Sequence, residues 1–496
     1  MAKIGKKVTA LADLVGAVVE AGPDPVVTDV TNDSREVQRG FLYVAVRGER
    51  ADGHDFVDSA VEAGAVAVCV DHPVSSGVPE LIVGDTREVM GDLAATVHGY
   101  PSTSVDVVGV TGTNGKTTVT HYVESIARDA GIATGLVGTI HTRSAGASIP
   151  ASLTTPEAPA FQRLLAHMRD QGVALVAAEV SSHALEFGRV KGTRFEVAAF
   201  TNISQDHLDF HGDMGAYRAA KRSLFTDYDV GTAVINIDDP TGAEIASEFS
   251  GELLTVGANG AFSAHDIESS GSGSVFTLRW PGGETRIAAP VIGDFNVTNL
   301  VMAAACCIAA GIDDEAVARG MGRVSGVPGR FEVVSGEDPI TVVVDYAHTP
   351  EGVSTVVETG RGLGSGRVIA LLGAGGDRDR RKRPAMGAAL SRADLAIVTS
   401  DNPRSEDPEE IAREVTSGVD RSTDHILEID RRAAIDLAIQ TAKDGDVVLI
   451  LGRGHEPMQD LGAHKVPFDD REVATEALRR RRESAGSNDR SGSMSP

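Results

Sequence analysis

Short apolar runs alternate along the chain with longer stretches whose apolar positions recur at helical spacing. Valine-rich runs at 26–30, 41–46 and 66–70 read as strands. Further runs follow at 105–110, 133–137, 174–179, 197–201 and 233–237. Between the first two of these, Val119, Val123, Ile126 and Ala130 recur three or four apart, and Gly131 ends the predicted helix. Such alternation predicts a mostly parallel sheet. Residues 250–290, rich in Gly, Ser and Thr, break the pattern and read as an antiparallel insertion or edge hairpins. A strongly apolar helix is predicted from Gly293 to Ala310, and Gly326-Val-Pro-Gly-Arg330 has the composition of a hinge. The alternation then resumes with strands at 341–345, 368–372, 395–399 and 447–451. The expected plan is α/β with three domains: 1–104, 105–328 and a doubly wound 329–482, followed by a disordered tail at 483–496.

Composition narrows the function. A chain of 496 residues exceeds what one core usually serves. The formal net charge of −25 argues against non-specific nucleic-acid binding. No apolar run is long enough to insert in a membrane, and Lys3, Lys6 and Lys7 precede no signal-like core. Cys69, Cys306 and Cys307 lack metal-type spacing and read as small core residues in a reducing cytoplasm.

The chemistry gathers at predicted strand ends, where open α/β sheets bind ligands. Val105-Asp-Val-Val-Gly-Val-Thr-Gly112-Thr113-Asn114-Gly115-Lys116-Thr117-Thr118 runs from strand through glycine loop to helix, the recipe for cradling a polyphosphate. Turn and helix N–H groups would point inward, Lys116 would reach the outer phosphates and the Thr117 hydroxyl would take magnesium. Val110 stands where the standard motif has its first glycine. Two further ends, Glu179-Val-Ser-Ser-His183 and Thr201-Asn-Ile-Ser-Gln-Asp206-His207-Leu-Asp-Phe-His211, would face that loop; Glu179 suits a hard cation, and His207 could be its neighbour or an orienting donor. Lys221 reads, on local chemistry, as a solvated helix lysine, Asn296 as a helix cap, and Asn32-Asp33-Ser34-Arg35 as a capped turn rather than a phosphate or sugar site. The last domain brings His348, Arg378, Arg404, Gly452 and Glu456 to one sheet edge. A phosphate loop in one domain and an arginine- and carboxylate-lined face in the next suggest ATP-driven activation of a carboxylate, followed by attack of an amine.

These strings, in this order, resemble the Mur ligases of peptidoglycan synthesis, most closely the MurE type, from about Asp33 to Glu472. The motifs are Thr111-Gly-Thr-Asn-Gly-Lys-Thr-Thr118, Glu179-Val-Ser-Ser-His-Ala-Leu185, Asp206-His-Leu-Asp-Phe-His-Gly212, Asp345-Tyr-Ala-His-Thr-Pro350, Gly375-Gly-Asp-Arg378, Asp401-Asn-Pro-Arg404 and Gly452-Arg-Gly-His-Glu456. The resemblance implies an N-terminal UDP-binding domain, a central P-loop ATPase domain and a C-terminal Rossmann-like domain. It implies a monomeric, cytoplasmic, ADP-forming ligase that uses ATP and Mg²⁺ to add meso-diaminopimelate to UDP-N-acetylmuramoyl-L-alanyl-D-glutamate. By position, Lys116, Glu179, His207 and Lys221 are implied in catalysis, and Thr117, Glu179 and a CO₂-modified Lys221 in metal binding. Asn296, Arg330 and Asp345 join residues 112–118 as nucleotide contacts. Ser34, Thr154, Thr155, Ser181 and Arg189 match UDP-muramoyl dipeptide positions. Arg378, Asp401, Asn402, Pro403, Arg404, Gly452 and Glu456 match the diaminopimelate site, where the Arg404 fork suits the distal carboxylate and Glu456 the distal ammonium. Phe187, Leu153, Glu49 and Arg50 depart from the family's usual residues. A lysine-adding relative, a folylpolyglutamate synthase-like ligase and a nucleotide-dependent switch are the alternatives.

Overall fold

The computed structural model describes residues 5–19, 23–48, 51–336 and 338–492, with backbone alone from 485. Glu49 and Arg50 therefore lie outside the described residues. Three larger sheets, of five, eight and six strands, organise the described residues. The N-terminal one orders its strands Val18–Val19, Glu80–Ile82, Ala67–Val70, Phe41–Val44, Asp29–Thr31, all parallel except the first. The run at 26–30 is split: Val26–Val27 pairs instead with Lys6–Lys7.

The central sheet has eight strands, with Asp106–Thr111 between Leu175–Glu179 and Phe195–Phe200. The chain leaves Asp106–Thr111, builds outward to one side, returns, then crosses to the other. That reversal opens a crevice at the strand ends, where ligands bind in such sheets. Register places Glu179 beside Val110 and Phe200 beside Thr111, so both neighbouring strands end at the phosphate loop.

The stretch expected to be an antiparallel insertion forms a three-stranded sheet, Ser263–Ser270, Gly273–Trp280 and Gly283–Ala289, while Glu252–Val256 extends the main sheet in parallel. The helix Asp294–Ala309 is buried on nearly every face, packing against Lys116–Asp129, and it hides Cys306 and Cys307. This agrees with an apolar run that shows no polar stripe.

The C-terminal sheet runs Glu332–Val333, Thr341–Asp345, Val447–Leu451, Val368–Ala374, Leu395–Ser400, His425–Leu427, parallel after the first pair. Its final helix, Asp470–Gly492, continues past Arg482, where a disordered tail was expected; residues 493–496 lie outside the described ones. Among the described residues no helix is long and apolar enough to cross a membrane.

Candidate active site

The phosphate loop shows why its glycines are spaced as they are. Gly109 is still in the strand, and a side chain there would meet the Phe195 ring. Gly112 (φ +145°) and Gly115 (φ +89°) shape the loop itself, and a Cβ on Gly112 would collide with the Thr201 hydroxyl. The Thr113 N–H donates to the Asn202 carbonyl (2.8 Å) and the Asn114 N–H to Asn202 Oδ1 (3.0 Å). Those two groups are thus committed to the neighbouring strand end, contrary to the expectation that the turn frees them. The donors presented to the cleft are those of the helix start at Lys116–Thr118, which have no partner within the helix.

Lys116 Nζ donates to the carbonyls of Gly112 (2.7 Å) and Thr113 (2.9 Å), which leaves one of its three donors for the cleft it lines. Lys221 Nζ reaches the same Gly112 carbonyl at 2.6 Å and lies 4.6 Å from the centre of the Tyr217 ring. Lys221 is 1% exposed, so it is a core lysine rather than the solvated one its helix pattern suggested. Burial, with Lys116 as the second cause, holds its pKa well below the usual lysine range. Burial likewise lowers Lys116, although the Glu179 carboxylate opposes it.

Glu179 is fully buried and accepts from the Thr117 hydroxyl (3.0 Å), the Thr139 N–H (2.7 Å) and the Thr139 hydroxyl (3.0 Å). Thr117 and Glu179 supply oxygen donors of the kind a hard divalent cation takes. His207 adopts φ +55° with Nε2 3.4 Å from Asp206 Oδ2, and burial pushes its pKa down to about 3, so the ring is neutral. Arg330, just past the hinge, donates from Nη2 to the Thr117 hydroxyl at 2.9 Å and stacks on Tyr346, 4.3 Å from guanidinium carbon to ring centre. The cleft measures 610 Å³ and is lined from both sides of the hinge, by Lys116, Glu179 and His207 on one and Arg330, Asp345 and His348 on the other.

On the C-terminal edge, Asn402 Nδ2 donates to Glu456 Oε2 at 2.7 Å, and the Tyr346 hydroxyl contacts Oε1 at 3.4 Å. Burial, and then the charge of Asp401, raise the Glu456 pKa, so this carboxylate is one that a cationic group would relieve. Arg404 adopts φ +52° and donates to the Gly376 carbonyl at 2.6 Å, over a loop where Cβ atoms on Gly375 and Gly376 would collide with its guanidinium and with the Pro403 carbonyl.

Three family models cover most of the chain in order: Mur ligase family, catalytic domain (26–98), Mur ligase middle domain (110–307), and Mur ligase, glutamate ligase domain (329–454). A protein of Aquifex aeolicus is 45% identical over 453 residues, 91% of this chain and 94% of its own. One of Streptomyces coelicolor is 43% identical over 492 residues, 95% and 97% of the two chains. Both bear the name UDP-N-acetylmuramoyl-L-alanyl-D-glutamate–2,6-diaminopimelate ligase. The chain belongs to the Mur ligase family. A solved structure under that same ligase name superposes with a TM-score of 0.65 at 32% identity, covering 92% of this chain and 96% of its own. A MurF from Acinetobacter baumannii shares the fold alone, with a TM-score of 0.69 at 19% identity over 96% and 99% of the chains.

Within this Mur ligase, Thr113–Thr118, Thr154, Glu179, Ser181, His207, Asn296, Arg330 and Asp345 all line the one cleft. Gly112 and Lys221 lie beneath it. Asn296 is not the cap of its helix: Gly293 holds that place, and Asn296 Nδ2 donates back to the Ile292 carbonyl at 3.0 Å. The Asp345 carboxylate already accepts from the Phe331 and Ala347 N–H groups, both at 2.7 Å, and so braces the hinge. Thr155 is buried on the Glu179 carbonyl (2.7 Å), and Ser181 caps its own short helix. Ser34 opens a turn capped by Asp33, on the N-terminal sheet and outside the cleft. Arg189 pairs with Glu157 at 2.8 Å, and Phe187 is flanked by the Arg87 and Arg189 guanidinium carbons, 4.8 and 5.5 Å from its ring centre. Leu153 is exposed.

Three side chains at this site were not singled out from sequence. Tyr217 is fully buried with its hydroxyl 3.0 Å from that of Thr113. Arg453 is wholly buried and donates to Asn402 Oδ1 at 2.8 Å, orienting the amide that meets Glu456. Lys382 reaches into the central domain. Tyr217 lies four residues before Lys221, one helical turn, and that spacing was the available signal. His54, Asp71 and His72 also bring donors together, but Arg47 Nε lies 2.9 Å from Asp71 Oδ2 and already pairs with it.

Proposed function

We propose that this chain uses ATP and Mg²⁺ to join meso-diaminopimelate to the D-glutamyl carboxylate of UDP-N-acetylmuramoyl-L-alanyl-D-glutamate, as the names of its relatives say of those proteins. The observation that carries this reading is the 2.9 Å contact of Arg330 with Thr117, which places a cation from beyond the hinge on the phosphate loop. The substrate carboxylate attacks the terminal phosphorus of ATP, forming an acyl phosphate and releasing ADP. The amine then attacks the acyl carbon, phosphate leaves, and one proton is lost. The helix start at Lys116–Thr118, with Lys116 and Arg330, neutralises charge on the phosphoryl oxygens in both steps. Bound Mg²⁺ would add further neutralisation, held by the oxygens of Thr117 and Glu179 with the neutral His207 alongside. An ammonium at Lys221 does not fit such a set. Its lowered pKa, however, favours the free amine that adds CO₂, and the resulting carbamate is an anion that does fit.

Asp401-Asn402-Pro403-Arg404 and Glu456 are the proposed contacts for diaminopimelate, and Thr154, Thr155, Ser181, Arg189 and Ser34 those for the UDP-muramoyl dipeptide. Dependence on ATP and three buried free thiols support a cytoplasmic setting. Incubation with ATP, Mg²⁺, the UDP-muramoyl dipeptide and either amino acid tests the reading by phosphate release and product mass. Release that needs diaminopimelate is expected. Release without any amino acid overturns the ligase reading, and release with lysine but not diaminopimelate overturns the specificity.

A further inference from the structure

The run Arg378-Asp-Arg-Arg-Lys-Arg383 contains five cations, and they do not behave alike. Arg380 and Arg383 pair with Glu406 and Glu414 inside the C-terminal domain, and Arg378 donates to its neighbour's carbonyl. Lys382 crosses the interface: its Nζ lies 2.8 Å from Asp206 Oδ1 in the central domain, with 7% of Lys382 and 5% of Asp206 exposed. A second contact runs alongside, from Gln205 Nε2 to Asp379 Oδ2 at 3.1 Å. His348 Nε2, also from the C-terminal domain, approaches Asp206 Oδ2 at 3.3 Å.

The placement of this carboxylate matters. Asp206 immediately precedes His207, Lys382 lies four residues after Arg378, and His348 three after Asp345. One buried anion therefore ties the metal rim, the hinge-bracing strand end and the loop of the incoming amino acid. A buried ion pair gives little net stability, because desolvation offsets its attraction, but it penalises any arrangement that leaves one charge buried alone. It fixes geometry more than it adds energy. Attack of an amine held by one domain on an acyl group held by the other needs that kind of fixing, since a displacement of about 1 Å can cost on the order of 10²-fold in rate.

We propose that Lys382 is a positioning residue for amide formation, locking the amino-acid-binding loop over the phosphate loop through its ion pair with Asp206. The kinetic part rests on the ligase reading above; the geometric part does not. The three native cysteines are buried, so cysteines placed at the exposed Asp227 and Glu410 can carry spin labels that report the interdomain distance in the full chain. With ADP and Mg²⁺ present, the parent protein should give one narrow distance distribution. Lys382→Met and Asp206→Asn, which both preserve bulk, should each broaden it, and Lys382→Arg should keep it narrow. Lys382→Met should also lower kcat by about 10²-fold while the affinity for ADP stays at the parent value. Combining Lys382→Met with Asp206→Asn should cost no more than the worse single change. A narrow distribution in Lys382→Met overturns the proposal, and so does a broadened one with parent kcat. If no variant, the parent included, forms an amide, the ligase reading fails, and the distances alone still decide whether Lys382 locks the interface.

Discussion

The central and C-terminal domains both bury cations, and they hold them in opposite ways. In the central domain Lys116 and Lys221 converge on a single carbonyl, that of Gly112, and both pKa values are lowered. In the C-terminal domain Arg383 sits between Glu406 and Glu414, while Arg431 makes a bidentate pair with the fully buried Asp470 and also donates to the Ser400 and Leu451 carbonyls. Burial alone would lower the Arg431 pKa, yet the Asp470 partner raises it. A guanidinium with a matched carboxylate is a fixed part of the fold. An amine held by carbonyls rather than by a matched carboxylate keeps attraction in reserve for an incoming anion or for CO₂. The arginines thus build the platform, tying strand ends at Ser400 and Leu451 that lead into Asp401 and Gly452, and the lysines serve the chemistry.

The largest effect should come from breaking the arginine side of this contrast. Arg431→Met removes the bidentate partner of the buried Asp470 carboxylate, leaving it only Arg453 Nε at 3.9 Å, and should cost about 3 kcal/mol of stability, measured as the midpoint of urea unfolding. A loss too small to move that midpoint would mean that the pair is not structural. Lys116→Met should show the reverse profile. Removing a desolvated cation should leave the unfolding midpoint unchanged or raised, while kcat falls by roughly 10²–10³-fold, or about 3–4 kcal/mol of transition-state stabilisation. A stability loss matching that of Arg431→Met would erase the distinction between the domains.

The contrast also marks how far the sequence could be read. Strand positions and much of the cleft's rim follow from period and from strand ends: Glu179 and the loop leading to Thr117 lie where apolar runs stop, and the two side chains meet. Burial of charge does not follow, because Lys221 and Lys382 carry the same local pattern as solvated lysines. Only a partner or carbonyl distant in sequence makes such a residue a core one, and neither periodicity nor propensity reports that. Asn296 failed for a related reason. Cap statistics describe isolated helix ends, whereas Gly293 takes a φ of +88° and starts this helix earlier. Phe187, which departs from the family's usual residue, lies between two guanidiniums supplied by separate domains, a setting that no local pattern announces.

A smaller effect is expected where an arginine belongs to the ligand rather than to the fold. Arg404→Lys keeps the charge but loses the planar fork, so a diaminopimelate carboxylate would exchange two charge-assisted bonds for one. The KM for diaminopimelate should rise by about tenfold, near 1.4 kcal/mol, with ADP affinity and the unfolding midpoint unchanged. An unaltered KM would remove Arg404 from the amino-acid site and return it to the structural arginines.

The subtlest test separates the two domains by pH. The Arg383 guanidinium beside Glu406 holds that carboxyl down at about 2, against 4.5 for an ordinary glutamate. The folded state therefore binds fewer protons than the unfolded one between those values, and stability rises with pH across that window. Glu406's contribution is complete above 4.5 and is lost as the pH falls toward 2. Lys116, lowered by burial, gives a slope of the same sign in another window, from its folded pKa up to the ordinary 10.5 of an unfolded lysine. One slope exists because a paired arginine favours the charged form of a carboxylate, the other because burial disfavours the charged form of an amine. Glu406→Gln should flatten the acid limb of the unfolding midpoint against pH without touching the alkaline limb, and Lys116→Met should do the converse. If either variant altered both limbs, the cations of the two domains would be coupled, and the division between platform and chemistry would fail.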